Sequence, residues 1–254
     1  MMRDGSNAEK QTMSQSLRPA AHTEAGLSNS WQALGEVGGW FSAAERLAIA
    51  EESRAARNCS RCLDGKAALS PYAVSGAHTT LETSLSPPAV EAIHRITTDP
   101  GRLSQQWYDK LTSAGLLPEE LVEITGVIGV VTIADTLSRA LSRPERAFPA
   151  ANGAGEAHRQ QVSGTTLDRG WVPMVDPDHA DGFVKVMYAQ VEGAAGFVFN
   201  VARALTSVPE ALRDFFGTFL PNYSTHGDVR PGGLSRTQVE LLATSTSSYN
   251  DCFY

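Results

Sequence analysis

Apolar residues recur along this chain at three- and four-residue steps, and alternating β-branched runs of strand type are almost absent. The segment "LPEELVEITGVIGVVTIADTLSRAL" (Leu117–Leu141) places Leu121, Ile124, Ile128, Val131 and Leu137 on one helical stripe, with Glu119 and Glu120 in the first turn, where the helix dipole favours them. Its most apolar part, Ile124–Ala134, is eleven residues long and lies between Glu123 and Asp135. Spanning a bilayer takes about 20 apolar residues, so this run reads as a core helix. Further on, "VDPDHADGFVKVMYAQVEG" predicts a helix capped by Asp176, with Pro177 at its first position and Gly193 as its stop. In "TSVPEALRDFFGTFL", Ser207 and Glu210 have the spacing of a capping box. The block "VEAIHRITTDPGRLSQQWY" reads as helix, turn at Asp99-Pro100-Gly101, and helix, with no chemistry assigned to it. The predicted fold class is all-α.

Composition divides the chain. Residues 1–28 are rich in Ser, Asn, Gln and Ala without periodicity and read as a disordered tail. Residues 147–170, including "PAANGAGEAHRQQVSGTTLDRG", read as a linker between helical modules at 29–146 and 171–254. With 254 residues, 42% of them hydrophobic, the chain can bury a sizeable core. A net charge of −7 argues against a nucleic-acid partner, which would select a basic stripe. The opening residues lack the apolar block of a secretory signal, so the expectation is a cytoplasmic protein with no membrane partner.

Three cysteines are no disulfide scaffold: Cys59 and Cys62 form a C-x-x-C, and Cys252 stands alone near the C-terminus. One helical turn brings the two sulfurs of a C-x-x-C within reach of each other. One thiolate can then attack an O–O bond and become a sulfenic acid, which the second thiol condenses to a disulfide. Attack needs a thiolate or a nearby base. Arg54, Arg57, Arg61 and Lys66 supply positive charge around the pair, while Glu51, Glu52 and His78 are candidate proton relays. Zinc is the other use of the motif, but it takes four ligands and favours a second closely spaced pair. His78 and His94 follow only at loose spacing, so the reading has no metal and no cofactor.

The cysteines also mark a repeat. "FSAAERLAIAEESRAARNCSR" (Phe41–Arg61) and "LSRTQVELLATSTSSYNDCFY" (Leu234–Tyr254) share an apolar residue, a serine cap (Ser42, Ser235) and a Glu or Gln three residues on (Glu45, Gln238). Each reaches a cysteine seventeen residues after its cap, and the two copies lie 193 residues apart. The second copy ends soon after Cys252, so the expectation is a truncated module.

Glu240, eleven residues and then Cys252 resembles the core motif E-x11-C-x2-C-x3-H of the alkylhydroperoxidase D and carboxymuconolactone decarboxylase superfamily. The segments Val172–Leu212 and Leu111–Leu141 resemble that family's helices before and after the motif, and together the likeness covers residues 31–145 and 171–254. It implies tandem all-α modules, a homo-oligomer, and reduction of a hydroperoxide substrate with a dithiol or protein reductant. By the same likeness Cys62 attacks, Cys59 resolves, and Glu240 and Cys252 belong to the second site. The chain departs from the family at Leu47, where the glutamate of the first copy should stand, and at Lys66, where its histidine should. A non-catalytic oligomerisation module, or a degenerate or fragmentary family member, is the alternative reading. Cofactor-free lactone decarboxylation is disfavoured by the C-x-x-C itself.

Overall fold

The computed structural model describes residues 19–81, 84–153, 155–219 and 234–250. Helices dominate it, as the three- and four-residue stepping predicts. They are α1 (Ala21–Ala33), α2 (Ala43–Ala56), α3 (Ser60–Ala67), α4 (Pro87–Thr98), α5 (Gln105–Ser113), α6 (Pro118–Ala140), α7 (Gly182–Ala195), α8 (Asn200–Arg203), α9 (Pro209–Phe219) and α10 (Arg236–Tyr249). The described strands are two residues each, β1 (Thr165–Thr166) and β2 (Met174–Val175), paired antiparallel with Thr165 opposite Val175.

The central element is α6, started by Pro118 at its first position and carrying Glu119 and Glu120 at its positive end. It is long and apolar enough to cross a membrane, yet two thirds of its apolar window is buried inside the protein, so it serves as the core helix. Helices α1, α2, α4 and α9 pack around it. Two glycines let α9 approach closely: a Cβ on Gly126 would lie 2.8 Å from that of Ala211, and one on Gly129 would lie 2.7 Å from the Phe215 ring. At the α2–α6–α9 junction the buried Arg46 meets Glu123 at 3.3 Å and Asp214 at 2.7 Å.

One continuous apolar core joins both expected modules, since Leu27, Ile49, Ile124 and Val131 share it with Met187, Leu212 and Phe216. The segment expected as a linker lies on this core. Trp31 Nε1 donates to the Ala147 carbonyl at 2.9 Å, Asn152 N to Gly35 O at 2.6 Å, and Arg159 N to Gly39 O at 2.8 Å.

Local expectations are met unevenly. Both repeat copies form their capping boxes, Ser42 with Glu45 and Ser235 with Gln238. Helix α2 is largely buried, whereas α10 buries none of its residues and exposes Leu241, Leu242 and Tyr249. Asp176 caps only a single 3₁₀ turn, Pro177–His179; the helix proper begins at Gly182 and ends where Gly196 turns left-handed at φ 82°. The expected Ser207–Glu210 box is replaced by a start at Pro209, and the buried Ser207 Oγ has no partner among the described residues.

Candidate dithiol and histidine site

Cys59 occupies the position before α3, in extended conformation, and Cys62 lies in the first turn of that helix. Both thiols are free and buried. At eight residues α3 is too short to hold its place alone. Arg102 anchors its far end by donating to the carbonyls of Gly65 (2.9 Å), Lys66 (3.0 Å) and Ala68 (2.8 Å), where a cation also suits the helix dipole. Asp99 in turn holds Arg102 at 2.8 Å.

Three other elements complete the site. Helix α4 supplies His94 and Glu91, α2 supplies Glu52, and the connection between α3 and α4 supplies His78. Cys62 Sγ lies 3.3 Å from His94 Nδ1 and 3.4 Å from His78 Nδ1, and Cys59 Sγ lies 3.7 Å from the same His78 nitrogen. Thr79 N donates to Cys59 Sγ at 3.3 Å.

Each histidine is held from behind by a carboxylate. His94 Nε2 meets Glu52 at 2.7 Å, and His78 Nε2 meets Glu91 at 2.7 Å. With Nε2–H donating to a carboxylate, each ring turns Nδ1 toward the sulfurs, as a lone pair when the ring is neutral and as an N–H donor when it is protonated. Glu52 is fully buried and takes a second hydrogen bond from Leu81 N at 3.0 Å. Arg61 donates to Glu91 at 2.8 Å and also contacts His78.

These surroundings separate the titrations. Burial works to lower the His78 pKa, but contacts with Cys62, Glu91 and Cys59 outweigh it and raise the ring to about 9. Burial lowers His94, and the neighbouring His78 charge lowers it further against the pull of Glu52. Glu91, although burial would raise it, is held at about 2 by His78 and Arg61. Burial would likewise raise the Cys59 thiol, but the backbone amides of Cys62 and Thr79 and the His78 ring bring it down to about 7. One histidine is thus set to carry a proton and the other to accept one, the division of labour expected of an acid–base site.

A cavity of about 390 Å³ opens onto this cluster, lined by Cys62, His78, Glu91, Arg61, Tyr72 and Trp107 among others. Cys59 does not line it and stays behind Cys62, fully buried.

Of the residues singled out from sequence, Cys59, Cys62, Glu52 and His78 converge here. Glu51 does not; it is exposed and borders a shallow groove with Arg54 and Glu145. Arg54 and Arg57 bind Asp135 at 2.7 Å each, so of the four cations only Arg61 reaches the cluster, and Lys66 is exposed. Glu240 lies on α10, part-exposed and paired with Arg236 one turn back, and Cys252 lies outside the described residues. Sequence reasoning assigned no role to Glu91 and weighed His94 only as a loosely spaced zinc ligand. Their three-residue spacing in an amphipathic helix, which puts both on one face, was the available signal.

No family model, no curated protein and no solved structure matches this chain.

Proposed function

We propose that this protein is a dithiol oxidoreductase that reduces hydroperoxides, with Cys62 attacking and Cys59 resolving, in the manner of the alkylhydroperoxidase D family. The observation that carries the reading is Cys62 Sγ, set between the Nδ1 atoms of His94 and His78 in the lining of a cavity, with a second buried thiol beside it.

His94 Nδ1 accepts the Cys62 thiol proton, with Glu52 stabilising the imidazolium. The Cys62 thiolate attacks the terminal oxygen of ROOH, the O–O bond breaks, and the departing alkoxide takes a proton from His78 to leave as ROH. Cys62 is now a sulfenic acid. Cys59 attacks its sulfur, the S–O bond breaks, and hydroxide leaves as water with a proton from the site. An external dithiol then opens the Cys59–Cys62 disulfide and is itself oxidised to a disulfide, in keeping with a reducing compartment.

Glu52 stands in for the glutamate that the first repeat copy lacks, and His78 and His94 stand in for the histidine replaced by Lys66. The test is consumption of an organic hydroperoxide with dithiothreitol as reductant. Cys62→Ser should abolish turnover, and Cys59→Ser should accumulate a sulfenic acid that dimedone traps. Unchanged turnover in Cys62→Ser sinks the proposal.

A second reading, a helical oligomerisation module, is favoured by α10, whose Leu241, Leu242 and Tyr249 stand 66%, 56% and 90% exposed. Light scattering separates the two: dispersal of an assembly by Leu241→Asp with turnover intact shows that α10 contributes to assembly only.

A further inference from the structure

We propose that the reduced site binds one Zn²⁺ through Cys59 Sγ, Cys62 Sγ, His78 Nδ1 and His94 Nδ1. The four ligand atoms all lie within 4.8 Å of one another. Zinc bonds of about 2.3 Å to sulfur and about 2.0–2.1 Å to nitrogen place tetrahedral ligands roughly 3.3–3.8 Å apart. Three of the four sulfur–nitrogen separations, at 3.3, 3.4 and 3.7 Å, fall inside that window. A metal ion at the centre would draw the wider pairs of this cluster, which lie within 4.8 Å, inward.

The second observation is independent of these distances. Each ring presents Nδ1 inward because its Nε2 is held by a carboxylate, Glu52 for His94 and Glu91 for His78. Carboxylate–histidine–metal relays of this kind fix the tautomer and ring orientation that ligation requires. Two thiolates neutralise the dication within a buried site, which lowers the cost of desolvating it. A tetrahedral S₂N₂ set selects zinc among abundant divalent ions, and four protein ligands leave no open position for a metal-bound water. The ion would hold the dithiol rather than activate a substrate.

The C-x-x-C and the two histidines are far apart in sequence, with His78 16 and His94 32 positions beyond Cys62. The fold closes that spacing. The metal-held and disulfide states exclude each other: a hydroperoxide taking two electrons from the thiolates, with two protons, gives the disulfide, ROH, water and released Zn²⁺.

This inference and the peroxidase reading fail separately, because metal uptake is measured without hydroperoxide and turnover is measured on metal-free protein. The experiment titrates ZnCl₂ and CoCl₂ into the reduced, full-length, chelator-treated protein, followed by calorimetry and visible absorption. Expected are one Zn²⁺ per chain and a cobalt spectrum with thiolate charge-transfer and intense tetrahedral d–d bands. Prior oxidation to the disulfide should abolish both. His78→Ala, on a connection outside the helices, should weaken binding at least tenfold, and Glu52→Gln about 10- to 100-fold, with circular dichroism confirming retained helix. Failure to take up a stoichiometric ion, a weak octahedral cobalt spectrum, or unchanged affinity in a folded His78→Ala protein overturns the proposal.

Discussion

Glu52 and His94 sit 42 positions apart on two different helices, meet at 2.7 Å, and are both fully shielded from water. The contact ties α2 to α4 at the point where the C-x-x-C is presented. It orients the His94 ring whether the ring serves a proton or a metal ion.

Glu52→Ala should therefore destabilise the fold as well as the site. It leaves His94 Nε2 buried without an acceptor, at a cost of about 1–3 kcal/mol, and removes the acceptor of Leu81 N, whose residue is exposed and can turn to water. Glu52→Gln keeps an acceptor for one of them and should cost less. Urea denaturation of the two variants gives the order, and equal stability of Glu52→Ala and wild type contradicts the assigned contacts.

The two thiols should react in sequence. Cys62 faces the cavity and is 6% exposed, whereas Cys59 lies behind it at 0%. Brief alkylation of the reduced native protein, mapped by mass spectrometry, should label Cys62 first. Preferential labelling of Cys59, whose thiol is held at about 7, would show that ionisation rather than access from the cavity sets the order.

Glu123 makes stability depend on pH. Burial raises its carboxyl from the ordinary 4.5 to about 7, against the opposing pull of Arg46 and the Trp40 amide. A carboxyl raised on folding favours the protonated, folded state. Its contribution is full below pH 4.5 and is lost as pH rises through about 7. Each tenfold change in proton affinity is worth about 1.4 kcal/mol, so the loss amounts to at most about 3 kcal/mol. Glu123→Gln, permanently neutral, should flatten the decline in stability between about pH 5 and pH 8. A decline of undiminished slope in that variant assigns the pH dependence elsewhere.

Gly126→Ala sets two effects against each other. Alanine favours a helix interior by about 1 kcal/mol over glycine, but its Cβ would lie 2.8 Å from the Ala211 Cβ and 3.3 Å from the Ala211 Cα. Backbone yields less readily than a side-chain tip, so overpacking of about 1–3 kcal/mol should prevail. A lower Tm is expected, and a higher one contradicts the close α6–α9 approach.

Particular residues show what was legible. The stripe of Leu121, Ile124, Ile128 and Val131 specifies α6 because helical period and burial coincide there. The C-x-x-C is likewise local and visible. Glu51 and Glu52 looked equivalent as neighbours, yet on a helix they point about 100° apart. Burial of Ile49, Ser53 and Ala56 selects Glu52 for the inner face. His94 and Glu91 stayed hidden because their relation to Cys62 and His78 exists only after α4 docks on α2 and α3. The two capping boxes show the same limit in reverse, since near-identical local patterns produced a buried α2 and an exposed α10. Residues 147–170 have the composition of a linker, and composition carries no record of backbone hydrogen bonds to Gly35 and Gly39.

In the proposed reaction Cys62 is the thiol that attacks the peroxide bond. Its most direct test is rapid-mixing consumption of an organic hydroperoxide by the reduced, metal-free protein, without added reductant. A single turnover should consume one hydroperoxide per chain and convert Cys59 and Cys62 into their disulfide, and Cys62→Ser should consume none. Consumption by Cys62→Ser at the wild-type rate, or loss of hydroperoxide with both thiols still free, would contradict it.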